Sequence, residues 1–250
     1  MSLLAEDEPG PVELLRPEGA ARFVLTADHA GLAIPRRLGD LGVSAAERAR
    51  HIAWDIGIAG VTRRLSERLD APAVLQRYSR LVIDCNRPAG ADSAFPEVSE
   101  VTPVPGNVAL DEAAKAVRRA AIFAPYHEAI TRVLEARPAA IYVAMHSFTP
   151  VYRGEARPMH VAVLYNRNPR FSRALAAVLR QEPGLVVAEN EPYRVSDESD
   201  YGVPVHAERR GLDYVEIEIR QDLIQDEAGQ AQWADRLARL LPMAARVGGI

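Results

Sequence analysis

The chain has 250 residues, 48% of them apolar and 26% charged, which is ordinary for a globular protein and long enough to bury a core without staples. A formal net charge of −4, with arginines dispersed along the chain, excludes the clustered cationic surface that a nucleic-acid partner requires. The single cysteine, Cys85, excludes an internal disulfide and a cysteine-based zinc site, no apolar run nears the ~20 residues that span a bilayer, and the acidic start MSLLAEDEPG lacks a secretory pattern, so the expectation is a cytoplasmic protein.

Residues 1–20 carry Pro9, Pro11 and Pro17 among several acids and read as a mobile or loosely packed lead-in, leaving 21–250 as one domain. Residues 22–26 (RFVLT) form the first predicted strand. Residues 56–69 follow as a helix, with Ile58, Val61, Leu65 and Leu69 on one stripe. Residues 81–84 (LVID) read as the next strand. From Pro88 to Leu110 the prolines and glycines predict a loop, and a loop that long inside a compact domain is often functional. Residues 111–137 read as helical, 141–145 (IYVAM) and 161–165 (VAVLY) as strands, 171–180 as a helix and 185–188 as a short strand. Residues 214–219 alternate, with Val215, Ile217 and Ile219 opposite Tyr214, Glu216 and Glu218, and 232–245 close the chain as a helix. Strands alternating with helices predict an α/β sandwich with a mixed, largely parallel sheet flanked by helices. Such sheets carry their sites beyond the carboxyl ends of the strands.

Three polar groups pass that positional test: Asp28-His29 after the first strand, His146 after IYVAM, and Glu218 with Arg220 at the end of YVEIEI. Two histidines and an acid at neighbouring strand ends suit a catalytic metal with an open water position. Taken singly, each histidine is more often a hydrogen-bonded structural residue, and no HExxH-type local motif is present. Asp55 precedes the first long helix, where a carboxylate also serves as a cap, so capping explains it as well as metal binding does. His51 lies four residues before it and shares its face if both are helical. The segment Arg80 to Arg87 offers two guanidiniums and Asn86 for gripping a carboxylate, and the bland reading is an Arg80–Asp84 surface pair. Cys85 reads as a small buried residue. Tyr193, Tyr126, His127 and His206 read equally well as pocket or structural groups.

DHAGLAIP, HIAWDIG, YSRLVIDCNRP, PYH, MHSFTP, NEPY and VEIEIRQDLI occur in this order, and together they resemble the N-formylglutamate amidohydrolase family from about Phe23 to Trp233. That resemblance implies kinship with zinc carboxypeptidase and aspartoacylase-like hydrolases, one divalent metal, zinc, and a role in histidine degradation. It places His29 and His146 as ligands and Glu218 as the catalytic glutamate, with Arg80 assisting. It assigns Arg80, Asn86 and Arg87 to substrate binding, and Tyr193 and Arg220 join them as expected substrate contacts from their own positions. The wider group binds zinc through His-x-x-Glu, but here Leu32 stands three residues after His29. The third ligand is therefore expected at Asp55, with Asp28 and His51 as alternatives. The implied reaction converts N-formyl-L-glutamate to formate and L-glutamate. A related amidase for another N-acyl amino acid or a γ-glutamyl peptide, and a non-catalytic carboxylate binder of the same fold, are the competing readings.

Overall fold

The computed structural model describes residues 2–250. Eleven strands occur: β1 (Val12–Leu15), β2 (Phe23–Ala27), β3 (Ala73–Gln76), β4 (Val98–Ser99), β5 (Thr102–Pro103), β6 (Ile141–Phe148), β7 (Val151–Tyr152), β8 (Glu155–Ala156), β9 (Val161–Leu164), β10 (Val187–Glu189) and β11 (Asp213–Arg220). The helices are α1 (Ala45–Arg48), α2 (Ile58–Leu69), α3 (Glu112–Arg118), α4 (Ala124–Glu135), α5 (Arg170–Leu179) and α6 (Glu227–Val247). Seven strands form one sheet in the order β1-β3-β2-β6-β11-β9-β10, and β4-β5 and β7-β8 are separate hairpins. The pairs β3-β2, β2-β6, β6-β11 and β9-β10 are parallel, while β1-β3 and β11-β9 are antiparallel. The expected mixed, largely parallel sheet flanked by helices is what the chain adopts.

Alternation along the central strands divides the core. Leu25, Val143, Met145, Val215 and Ile217 face one way and pack with α2, α5 and α6, whose buried stripes include Leu65, Leu175 and Leu237. Val24, Tyr142, Ala144 and Tyr214 face the other way, toward α4 and the loops around Leu81 and Val104. Every functional candidate on β6 and β11 has the parity of this second face. Among the described residues, no helix is long and apolar enough to cross a membrane.

Two sequence-based expectations are corrected. Residues 81–84 form a turn and irregular backbone rather than a strand, and the third sheet strand is instead β3, eight residues earlier at Ala73. Leu81, Val82 and Ile83 are buried all the same, because that loop is packed under the sheet, so their apolar run reported burial and not extension. Within the expected lead-in, Val12–Leu15 pairs antiparallel with β3 and Leu3 is buried in the second core, so that stretch is docked. Met1 lies outside the described residues.

Candidate active site

The parallel register of β6 and β11 sets Glu218 directly beside His146 and Glu216 beside Ala144. On the other flank of β6, Thr26 of β2 is aligned with Ala144. The chain leaving β2 therefore carries Asp28 and His29 to the same end of the sheet. Gly31 lets this loop pass: a Cβ there would run into the Arg77 carbonyl. Asp55 arrives from the turn before α2, and its backbone N–H donates to His29 O at 2.9 Å. Gly57, which starts α2 at φ 82°, leaves no room for a side chain against Ile224. Asp55 does not cap the helix. Its Oδ2 turns inward and accepts from Ser147 N at 3.2 Å, with His146 Nδ1 3.0 Å and His29 Nδ1 3.6 Å away.

These three buried residues offer ligand atoms that all lie within 4.8 Å of one another. Two nitrogen or oxygen ligands at ~2.0–2.1 Å from a tetrahedral ion stand about 3.3 Å apart, close to both distances around Asp55 Oδ2. His29 Nε2 donates to Asp84 Oδ1 at 2.7 Å, which fixes its proton there and leaves Nδ1 bare. That Nδ1 makes no hydrogen bond although it is buried. A buried acceptor left this way costs about 1–3 kcal/mol unless something occupies the space beside it. The donor set thus fits a divalent cation. His51 stands apart, with Nε2 3.6 Å from Glu100 at the pocket rim, so it is not in the cluster. Asp28 faces His146 Nε2 at 3.7 Å and accepts from Tyr126 Oη at 2.5 Å, behind the cluster rather than in it.

The electrostatics agree. Burial alone pushes both imidazoles down, yet the carboxylates beside them raise His29, through Asp84 and Asp55, and raise His146 well above its ordinary value, through Asp55. Burial pushes Asp55 and Asp84 up, but His29 and His146 hold Asp55 below the usual carboxylate range and Arg80 and His29 do the same for Asp84. Two ionised carboxylates therefore demand positive charge here, which a dication supplies without protonating its ligands. Burial raises Glu216 to about 7 and Glu218 well above the ordinary value, and one Oε2 of each is buried without a partner.

A cavity of about 260 Å³ opens over this floor, lined by His29, Asp55, His146, Glu216 and Glu218 and walled by Arg80, Asn86, Arg87 and Tyr193. Arg80 gives Nη2 and Nε to Asp84 Oδ2 at 2.7 and 3.1 Å, so the surface pair weighed from the sequence is real but sits at the site. Arg87 uses only Nη1, on the carbonyls of Asn86 and Ser199, which leaves its remaining donors free among the described residues. Asn86 gives one amide hydrogen to Asp200 at 3.2 Å and accepts from Tyr201 N and Gly202 N at 3.2 and 2.9 Å, tying down that loop.

Arg220 corrects the expected set. Its Nη1 donates to the carbonyls of Arg157, Pro158 and Met159 and its Nε to Asp222 Oδ1 at 2.8 Å, and it does not line the cavity. Being last in β11, it shares the parity of Glu218, but its side chain turns to the carbonyls beyond the cavity where the chain leaves the sheet. From the sequence, Asp84 reads only as a surface partner of Arg80, Glu216 is set aside for lying further from the strand end than Glu218, and Asp200 is missed. Glu216 was legible from its parity with Glu218, whereas Asp200, in an irregular loop, left no signal.

The sequence profile described as N-formylglutamate amidohydrolase matches residues 21–225. A solved gene product of Agrobacterium tumefaciens is 37% identical, with TM-score 0.94 and 98% of each chain covered. The crystal structure of N-formylglutamate amidohydrolase from Ralstonia eutropha is 22% identical, with TM-score 0.70, over 97% of this chain and 100% of that one, a likeness of fold. No curated protein matches the sequence. On the profile match across most of its length, the chain belongs to the N-formylglutamate amidohydrolase family.

Proposed function

We propose that the protein hydrolyses N-formyl-L-glutamate to formate and L-glutamate with one divalent metal, zinc, held by His29, Asp55 and His146. The observation that carries this reading is the convergence of His29 Nδ1, Asp55 Oδ2 and His146 Nδ1 beneath a cavity bearing a buried glutamate and the Arg87 guanidinium, which is tied through Nη1 alone among the described residues. When bound, the metal supplies a Lewis acid for the formyl carbonyl and lowers the pKa of a water. Burial raises Glu218, and a cation held by His29, Asp55 and His146 would oppose that shift and leave Glu218 able to act as a base. Glu218 takes the proton of the attacking water and delivers it to the leaving amine nitrogen. Arg80, held in place by Asp84, presents its outer edge to the developing oxyanion. Arg87 and the remaining amide hydrogen of Asn86 bind a substrate carboxylate and orient the amide, and Tyr193 completes the wall.

The test is formate release from N-formyl-L-glutamate before chelation, after it, and with zinc restored. Release that stops and returns supports both substrate and metal. No release from zinc-loaded protein overturns the substrate assignment, and release unaffected by complete chelation overturns the metal assignment.

A further inference from the structure

Beyond Arg80 and Arg87 lies a second cavity of about 630 Å³, and both arginines line it as well as the first. Its walls come from residues 92–100 together with Asn107, Leu110 and Lys115. This is the long loop flagged in the sequence, and the proposed hydrolysis of a free formyl amino acid leaves it without a role.

The cavity is built. Asn107 is buried beneath it, and its Nδ2 donates to Leu81 O and Pro96 O, both at 2.8 Å. Asn107 Oδ1 accepts from buried Arg118 at 2.6 Å, and Arg118 also donates to Val82 O at 2.9 Å and Gly106 O at 3.0 Å. Glu100 and Ala109 hold φ values of 57° and 53°, in the left-handed region, so the loop keeps an unfavourable backbone to maintain this shape.

The lining defines what it takes. Phe95, Pro96, Val98 and Leu110 give it apolar surface. Three of its four acids are already engaged: Asp84 by Arg80 and His29, Glu97 by Ala109 N at 3.2 Å, and Glu100 by Arg50, while Asp92 at the edge is fully exposed and meets only Lys115. Lys115 differs, since its contacts to Asp92 and Glu112 are 3.5 and 3.6 Å long and both partners are largely exposed. Such pairs are worth little and give way readily to a better anion. The cavity therefore suits an uncharged body that ends in a carboxylate, continuous with a carboxylate-binding pocket through Arg87.

Resting on the deformylase reading of the first site, we propose that this cavity is a subsite for a second residue. The preferred substrate is then an N-formyl-glutamyl dipeptide, whose second residue fills the cavity and whose terminal carboxylate pairs with Lys115. The reaction is unchanged: water adds to the formyl carbon, the formyl C–N bond breaks, and the proton passes to the nitrogen of the departing dipeptide.

The test compares formate release from N-formyl-L-glutamate and from N-formyl-glutamyl-leucine, supplied in α- and γ-linked forms, with the zinc-loaded enzyme. One dipeptide is expected to show kcat/KM about tenfold higher, because remote binding energy is used at the reacting centre. Lys115→Met and Val98→Trp, the latter at a position 58% exposed so that folding is spared, should remove that advantage and leave turnover of N-formyl-L-glutamate unchanged. Turnover of N-formyl-L-glutamate with no gain for either dipeptide overturns the subsite alone, as does a gain that survives both substitutions. Formate release from none of the substrates overturns the deformylase reading and the subsite with it.

Discussion

Replacing Asp84 with asparagine tests the polar frame beneath the site. Asp84 Oδ1 accepts from His29 Nε2 at 2.7 Å and from Asn86 N at 2.9 Å, while Oδ2 accepts from Arg80 Nη2 at 2.7 Å and Nε at 3.1 Å. Asparagine has one acceptor oxygen, so its amide nitrogen must face donors on one side or the other. Breaking a buried ion pair by removing one partner costs ~3–5 kcal/mol. Arg80 keeps Asp55 at 3.6 Å and its side chain is 24% exposed, so the lower end applies, about 3 kcal/mol. That is a large share of the ~5–15 kcal/mol total for a domain. His29 also loses the acceptor that holds its ring, and loss of such a partner lowers metal affinity ~10–100-fold. At saturating zinc this removes a further ~1.4–2.7 kcal/mol by linkage. Asp84→Asn should therefore be about 3 kcal/mol less stable in chelator and about 4–6 kcal/mol less stable in buffered zinc. Urea unfolding under both conditions, with zinc affinity from chelator competition, measures this directly. Chelated stability within ~1 kcal/mol of wild type together with unchanged zinc affinity would refute the reasoning.

Glu218→Gln should keep its zinc and lose about 10²–10⁴-fold in kcat, checked by metal analysis beside steady-state kinetics. Arg220→Ala should leave KM for N-formyl-L-glutamate unchanged while lowering Tm, since Arg220 binds three carbonyls and not the cavity; a raised KM would return it to the substrate clamp. The buried pair His127–His206 should make the fold acid-sensitive. Cys85 O lies 3.0 Å from His127 Nε2, which must donate, so His127 Nδ1 accepts from His206 Nε2 at 2.8 Å and both rings are neutral. Burial pushes His206 down to about 3 and His127 well below its ordinary value. Below the ordinary histidine pKa of ~6.5 the unfolded chain binds protons that the folded chain refuses, so their contribution is present above that pH and falls by up to ~1.4 kcal/mol per unit per group as pH drops toward 3. His206→Gln should flatten the wild-type stability slope between pH 6.5 and 5 by about that amount, and parallel slopes would exclude the effect.

The sequence by itself determined the α/β class, because the alternation at 214–219 and the helical stripe around Ile58 to Leu65 are local patterns that burial on one face imposes. It also determined the parity of the site: Glu216 and Glu218 must share a face, and His29 and His146 must stand near strand ends. Only the tertiary structure decided which strands are neighbours, and so that β6 lies between β2 and β11 and brings His146 to Glu218. The third cluster member shows the same division. Asp55 is expected there with Asp28 and His51 as alternatives, and a backbone bond from Asp55 N to His29 O, far apart in the chain, brings Asp55 into the cluster. Residues 81–84 misled as a strand because apolarity reports burial whatever the backbone does, and Arg220 misled because proximity to Glu218 in sequence is lost where the chain leaves the sheet. Periodicity is written in neighbouring residues, whereas a site is an agreement among distant ones, settled only when strand order and register bring them together.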